Sequence, residues 1–330
     1  MLAGGSPASA SASAAAKKLT AANWDSSEQQ LVAREGLMSE APGIGFLGAG
    51  SLSAQAEGSA LAAIATREGV APIALASASI NAPLTLVRFD GLLVDQLGLG
   101  DVAEHVQQVT AGAGLNPPSY FGSEVVARYL GLRYNHPAGE DALELYPWNA
   151  ITRAEAAHSF AVVLGLESFS LTGAREALSN FSLPQYTSAQ REVLHIAVSK
   201  IGMPYVWGGT TDNTADGLEH GGYDCSGFAW RVYKVSGLPW GKQILGRTAA
   251  QQAGEIPKSS RIARQDVQPV DLLFFGSAGF DATATEANVI HEGIALSNQW
   301  AIHSSDQGVY VLPLTSGWLA ESFTWARRVL

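Results

Sequence analysis

The chain holds a single cysteine, Cys225, and cysteine is the side chain best suited to nucleophilic attack at neutral pH. A lone cysteine cannot form a disulfide within its own chain, so Cys225 is either a buried apolar residue or a thiol kept for reactivity. Asp224 is a candidate N-cap, and Phe228, Ala229 and Val232 follow at the spacing of one helix face. We therefore expect a helix to begin at Cys225, where free backbone N–H groups and the helix dipole favour a thiolate.

Two histidines occur on neighbouring apolar segments downstream. Residues 289–296 form a predicted strand that presents His291 on its polar face, and residues 299–303 form a second strand that ends at His303. A connection with an odd number of residues, centred on Ser297, would place His303 directly opposite His291. A connection with an even number would pair His303 with Glu292 instead.

These three side chains together are suited to nucleophilic catalysis. Cys225 would attack a carbonyl, His291 would act as the base, and His303 would fix the tautomer of His291. A zinc site is the competing interpretation, because Cys and His are zinc ligands. The sequence has neither the close-spaced Cys pairs nor the helical His pairs that common zinc sites use, which favours the nucleophile.

Several motifs occur in an order that resembles the NlpC-type family of bacterial cell-wall cysteine peptidases. They are Gly-Met-Pro-Tyr-Val-Trp-Gly-Gly at 202–209, Tyr-Asp-Cys-Ser-Gly at 223–227, Asp-Leu-Leu-Phe-Phe at 271–275, His291 and His303. The resemblance covers residues 187–330 and implies a papain-like α+β fold, with helices packed on an antiparallel sheet. It also implies cleavage of peptidoglycan stem peptides, commonly between D-glutamate and the following diamino acid.

The same resemblance implies roles for individual residues. Cys225 would be the nucleophile, His291 the general base and His303 the orienting third residue. Tyr205 matches a tyrosine whose phenol lies beside the nucleophile and helps to hold the oxyanion or the substrate. The resemblance implies no metal or organic cofactor.

Four further residues are expected to contact substrate. Asp224 and Ser226 match positions that bind the free amino end of the stem peptide in some family members. Trp207 lies in the same motif as Tyr205, and Arg247 belongs to a segment that resembles the border of the cleft.

The chain departs from the family pattern at two positions and in two loops. Val270 stands where glycine is usual, so its turn must avoid a positive φ or tolerate strain. Glu292 stands where a small apolar residue commonly follows the histidine. The loops 211–222 and 276–288 resemble insertions, and we expect them to frame the cleft and to affect substrate preference.

Composition limits the possible partners of the protein. The 330 residues are 47% hydrophobic, which is enough for a sizeable core and for two or three domains. The net charge of −10 gives no general attraction to nucleic acid or to anionic membranes, so both are disfavoured. The uncharged window at 69–87 is interrupted by Pro72 and Pro83, so we do not expect it to span a membrane.

The N-terminal half contains a repeated pattern. Residues 84–99 and 151–166 each read as a threonine-capped amphipathic helix closed by glycine, and a weaker copy starts at 52–53. The segment 145–156 resembles the close of an S-layer homology repeat, a helical unit that holds bacterial surface proteins to cell-wall polymers. Two other interpretations of these helices are equally open: they form only a scaffold, or they restrict the cleft.

The predicted organisation therefore has four parts. Residues 1–22 form an Ala/Ser-rich leader without a convincing signal peptide, 23–166 an all-α repeat region of S-layer homology type, 167–186 a linker, and 187–330 the peptidase domain. We expect an exported cell-wall endopeptidase whose substrate is the stem peptide of peptidoglycan, with wall polymers or surface-layer proteins as further partners. The alternatives are an amidase that uses the same three residues, or a surface-layer protein with an occluded or inactive domain.

Overall fold

The computed structural model describes residues 24–68, 71–72, 83–214 and 218–330. The predicted leader, residues 1–22, and most of the uncharged window at 69–87 lie outside these ranges. Within them, no helix combines the length and the apolar character needed to cross a membrane.

Eleven α-helices occur in the described residues, most of them in the N-terminal half. They are α1 (Ser26–Arg34), α2 (Ala54–Glu68), α3 (Leu86–Gln96), α4 (Gly100–Gly112), α5 (Phe121–Tyr129), α6 (Arg153–Gly165), α7 (Ser168–Ser179), α8 (Ser188–Ser199), α9 (Cys225–Val235), α10 (Ala249–Gly254) and α11 (Gly317–Ser322). Apolar residues at helical spacing form the core of the N-terminal half, including Phe89 and Leu93 on α3 and Phe121 and Val125 on α5, all fully buried.

The starts of α2, α3 and α6 meet in a closed ring of backbone hydrogen bonds. The Leu52 N–H donates to Ile151 O at 3.0 Å, the Leu84 N–H to Leu52 O at 3.1 Å, and the Ile151 N–H to Leu84 O at 2.9 Å. Each residue comes just before a predicted cap, and the Thr152 hydroxyl accepts from the Glu155 N–H at 3.1 Å. The structure thus brings the three predicted copies together at one buried point.

The segment predicted as a linker contains a helix. Ala174 and Leu178 on α7 are buried, as is Phe181 just after it, so this segment packs on the repeat region. A capping box formed by Thr187 and Gln190 begins α8.

The C-terminal part contains a six-stranded antiparallel sheet. Its strands are β3 (Arg261–Ile262), β4 (Leu272–Phe275), β5 (His291–Ala295), β6 (Trp300–Ser305), β7 (Gly308–Pro313) and β8 (Phe323–Arg327), and β1 (Thr210–Thr211) pairs separately with β2 (Gly222–Tyr223). The spatial order is β3-β8-β4-β5-β6-β7.

The sheet holds α9 in place from one face. Phe228 and Val232 of α9 pack in one core with Ile294 and Ile302 of the sheet. Mixed helix and sheet, with helices on an antiparallel sheet, is the architecture predicted for this region.

Val270, at the turn before β4, adopts a φ of +66°. A positive φ is unfavourable for a β-branched residue, so Val270 places strain on this turn that a glycine would avoid. Surrounding contacts fix the conformation: the Val270 N–H donates to Ala295 O at 2.8 Å, and the Tyr233 hydroxyl donates to Val270 O.

Candidate active site

Cys225 is the first residue of α9, as the sequence predicts. Asp224 is the N-cap, and its Oδ1 accepts from the Gly227 N–H at 2.7 Å. The start of the helix lies close against Gly209, because a Cβ at Gly227 would lie 2.0 Å from the Gly209 oxygen. Glycine at position 227 therefore allows the nucleophile-bearing turn to approach this loop.

The thiol of Cys225 does not rest as the expected thiolate. Burial raises its pKa to about 12, with the charges of Asp224 and Glu292 acting in the same direction. The backbone N–H groups of Ser226 and Glu292 lower this pKa by hydrogen bonding to the sulfur, but they do not offset burial. Desolvation therefore outweighs the helix terminus, and attack needs a base to take the proton.

The two histidines meet, although in neither of the predicted registers. His303 pairs with Gly293, and the connection is centred on Asn298. Its geometry follows from Ser297, whose Oγ accepts from the backbone N–H groups of Gln299 and Trp300 at 3.1 and 3.2 Å. Ser297 therefore begins the turn instead of forming its centre.

His291 and His303 nevertheless lie on one face, because strand residues two apart point to the same side. The atoms His291 Nε2 and His303 Nδ1 are 2.9 Å apart. Gly293 leaves room for this approach, since a Cβ there would lie 3.1 Å from the Cβ of His303. The Trp318 ring packs on His291 at 5.0 Å between ring centroids and closes the other side of the pair.

Both imidazoles are neutral at pH 7. Burial lowers the pKa of His291 to about 3, and burial together with His291 lowers that of His303 well below its usual range. When His291 Nε2–H donates to His303 Nδ1, the lone pair of His291 is left on Nδ1. A neutral imidazole in this tautomer can accept the proton of a thiol.

Tyr205 lines the same cleft as Cys225 and His291. Burial raises the pKa of its phenol above the ordinary value, and the charges at Cys225 and Asp224 add to the shift, so the hydroxyl remains a hydrogen-bond donor. The backbone of Tyr205 is held from the repeat region: Asn135 Oδ1 accepts from the Tyr205 N–H at 2.6 Å, and Asn135 Nδ2 donates to Tyr205 O at 2.9 Å.

Asp224, Ser226 and Arg247 form one polar cluster beside the nucleophile. Arg247 Nη1 and Nη2 donate to the two carboxylate oxygens of Asp224 at 2.9 and 2.6 Å, and Ser226 Oγ donates to Arg247 O at 2.8 Å. The charge of Asp224 is therefore matched within the protein, while 40% of the Arg247 side chain stays exposed. Trp207, the fourth predicted substrate contact, stands 69% exposed on the rim.

The cleft has a volume of about 780 Å³. It is lined by all the predicted site residues except His303, and also by residues that the sequence analysis did not single out: Asn135, His136, Pro137, Ala138, Gly208, Thr248, Ala249, Glu286, Val289, Ile290, Ser305, Asp306 and Trp318. Residues 135–138 come from the repeat region, and no local pattern indicated that they reach the cleft. In the described part of the chain, no three His, Cys, Asp or Glu side chains are grouped so as to hold a metal ion.

Comparison with known proteins gives this arrangement a family context. Residues 202–328 match the model of the NlpC/P60 family. The bifunctional muramidase/DL-endopeptidase CwlT of Bacillus subtilis is 30% identical over 42% of this chain and 34% of its own length. The probable peptidoglycan endopeptidase LytE of the same species is 30% identical over 40% of this chain and 32% of its own.

A solved structure, the NlpC/P60 domain of the peptidoglycan hydrolase SagA, is 29% identical over 42% of this chain and 97% of that chain, with a TM-score of 0.30. The present chain spans about a third of the length of the curated relatives it matches. The matched segment contains Cys225, His291 and His303. The C-terminal part of the chain, residues 202–328, is an NlpC/P60 family domain.

Proposed function

We propose that this protein is a peptidoglycan endopeptidase that hydrolyses stem peptides between D-glutamate and the following diamino acid. The observation that carries the proposal is one cleft that holds Cys225 at a helix start and His291 within 2.9 Å of His303. The names of the similar proteins, a DL-endopeptidase and a probable peptidoglycan endopeptidase, support the same class of reaction. Peptidoglycan lies outside the cytoplasm, so the enzyme would act there.

The first chemical step is attack by the Cys225 sulfur on the carbonyl carbon of the γ-glutamyl amide. The thiol and His291 are both neutral at pH 7, so the proton passes from Sγ to His291 as the carbon–sulfur bond forms. His303 holds the ring of His291 in the tautomer that accepts this proton. The protonated phenol of Tyr205 is suited to donate to the carbonyl oxygen as it becomes negative.

The second half of the reaction returns the enzyme to its starting state. His291 gives its proton to the leaving amine as the carbon–nitrogen bond breaks, which leaves a thioester on Cys225. A water molecule then attacks the thioester and passes one proton to His291, and this proton returns to the sulfur as the carbon–sulfur bond breaks. The glutamyl group leaves as a carboxylic acid, which releases its remaining proton to solvent at pH 7. The atoms and protons balance without a metal or an organic cofactor.

The repeat region is proposed to be of S-layer homology type and to hold the enzyme on wall polymers. The ring of hydrogen bonds among Leu52, Leu84 and Ile151 supports three related units. Arg153, part of the motif that suggested the repeat, donates to Phe46 O at 3.0 Å and to Ser39 O at 2.6 Å, so it also has a structural role. The binding is tested by mixing the Cys225→Ala variant with cell walls that retain or lack their secondary polymers and measuring how much protein sediments with each. If the same amount sediments with both kinds of wall, the proposed binding to wall polymers is contradicted.

Mass spectrometry of digested peptidoglycan tests the enzymatic proposal. Wild-type protein should release fragments cut after D-glutamate, and Cys225→Ala should release none while unfolding at the same temperature as the wild type. Cleavage between the sugar and L-alanine would instead indicate an amidase. No cleavage of wall or free stem peptide by the wild type would favour a surface-layer protein with an occluded domain.

A further inference from the structure

The cleft is lined by three carboxylates, and they differ in their partners. Asp224 is paired with Arg247, and Asp306 Oδ1 accepts from the Tyr310 hydroxyl at 2.6 Å. Glu286 is exposed and belongs to none of the ion pairs formed among the described residues. Of these three cleft carboxylates in the described chain, Glu286 is the one whose side chain takes part in neither an ion pair nor a side-chain hydrogen bond.

Glu286 lies in a turn with its own hydrogen bonds. The Thr285 N–H donates to Asn288 Oδ1 at 2.8 Å, the Asn288 N–H donates to Thr285 O at 3.0 Å, and Asn288 Nδ2 donates to Thr283 O at 3.0 Å. This turn leads directly into His291, the first residue of β5. Because these bonds already fix the backbone of the turn, the conformational entropy lost when the carboxylate meets a cation is that of the Glu286 side chain.

The chemistry of the reaction indicates which part of the substrate binds at each end of the cleft. His291 must protonate the leaving amine, so the residue that carries this amine binds on the side of His291, where Glu286 and Ile290 also line the cleft. The acyl residue remains on Cys225, on the side of Arg247.

The substrate carries charges that match this polarity. A γ-linked D-glutamate keeps a free α-carboxylate, which suits the guanidinium of Arg247. The leaving diamino acid keeps a second amino group, which is cationic at pH 7 unless it is acylated in a cross-link. Because Asp224 already balances the charge of Arg247, the charge of Glu286 is matched by the substrate only when this second amino group is free.

We propose that Glu286 is a specificity-determining residue that binds the distal ammonium group of the leaving diamino acid. The inference rests on the proposed function and extends it. The enzyme would prefer stem peptides whose distal amine is free over stems whose distal amine is acylated by a neighbouring stem. Its substrates in the wall would be the strands that are not cross-linked through this residue.

The test uses synthetic stem peptides, L-alanyl-γ-D-glutamyl-diamino acid-D-alanine, in which the diamino acid is lysine or diaminopimelate. Each is made with its distal amine free or acetylated, and kcat/KM is measured for the wild type, Glu286→Gln and Asp281→Asn. We expect the wild type to prefer the free amine by about two- to fivefold, the range of an exposed ion pair, chiefly through KM. Molar salt should reduce this preference because it screens the pair.

Glu286→Gln should cleave the acetylated peptides as the wild type does and should lose the preference for the free amine. Asp281→Asn is the matched control, since Asp281 is an exposed carboxylate of the same loop that does not line the cleft. Its preference should equal that of the wild type. Cleavage with the same preference in wild type and Glu286→Gln overturns the role of Glu286, whereas a wild type that cleaves none of the peptides contradicts the proposed function itself.

Discussion

Buried ionisable groups have different partners in the repeat region and in the cleft. In the described part of the repeat region, both buried arginines lie beside carboxylates: Arg128 lies 3.0 Å from Glu124, and Arg133 lies 3.5 Å from Asp90. In the cleft, the half-buried Cys225 and the buried His291 and His303 have no such partners, and loss of solvent moves the pKa of each toward its neutral form.

The difference separates two uses of a buried polar group. A buried ion pair costs little net stability only while both members remain, and it fixes the packing of the helices around it. A buried group without a counter-charge stays neutral, so its proton is free to move when a substrate arrives. The ion pairs of the repeat region therefore hold its helices together, whereas the ionisable groups of the cleft stay neutral and able to exchange a proton.

Removing one cation from the scaffold should give the largest effect. Arg133 lies beside Asp90 and within 4.0 Å of Glu155, and it also donates to Glu155 O and to the Ser159 hydroxyl. Arg133→Met leaves both carboxylates buried without this partner, and we expect the free energy of unfolding to fall by about 3–5 kcal/mol. Urea unfolding followed by fluorescence measures this loss.

Arg175→Met is the control for that change, because the Arg175–Asp101 pair, at 2.7 Å, is exposed on both sides. Its loss should cost less than about 1 kcal/mol. If the two variants lose the same stability, burial does not distinguish the two pairs and the comparison fails.

Removing the second histidine should affect the rate and leave the fold largely intact. His303→Leu takes away the nitrogen that faces His291 Nε2, so the ring of His291 loses its orientation. We expect kcat/KM for a stem peptide to fall by about 10- to 100-fold. His303→Gln keeps a hydrogen-bond acceptor for His291 and should therefore retain most of the wild-type activity. If His303→Gln is as slow as His303→Leu, the effect comes from packing and not from the hydrogen bond.

Glu57 is one of the buried carboxyls of the repeat region that form no ion pair among the described residues, and changing it should give the smallest effect. Burial raises its pKa to about 8, and Asp90 adds to the shift. The folded chain thus holds a proton that the unfolded chain releases above about pH 4.5, so Glu57 makes stability fall as the pH rises from about 4.5 to about 8.

Glu57→Gln removes this contribution. We expect the variant to gain roughly 1–3 kcal/mol over the wild type at pH 8 and nothing at pH 4. Thermal unfolding across that range measures the difference, and the exposed Glu104→Gln serves as its control. A gain that does not depend on pH would contradict the assignment of a buried protonated carboxyl.

The sequence was most informative where the decisive contacts are local. The start of α9 at Cys225 follows from an N-cap and an apolar helical face, both readable within a few residues. The shared face of His291 and His303 follows from strand alternation. The exact pairing does not, because the Ser297 hydroxyl shifts the centre of the turn to Asn298.

Other features depend on contacts between distant parts of the chain. The pKa of Cys225 is set by burial, which a helix-terminus argument does not include. Asn135 reaches Tyr205 across 70 positions of sequence, and no spacing rule connects them. The free carboxylate of Glu286 stands out only once the other cleft carboxylates are seen to have partners.

The two hydrogen bonds between the Asn135 amide and the Tyr205 backbone also determine where the chain can be cut without losing part of the cleft. A protein cut to begin at Thr187 would retain Cys225 and both histidines, yet it would lack residues 135–138 on one side of the cleft. The segment recognisable by family resemblance is therefore smaller than the unit that builds the binding surface. A graft intended to transplant the whole cleft should include the chain from before Arg133.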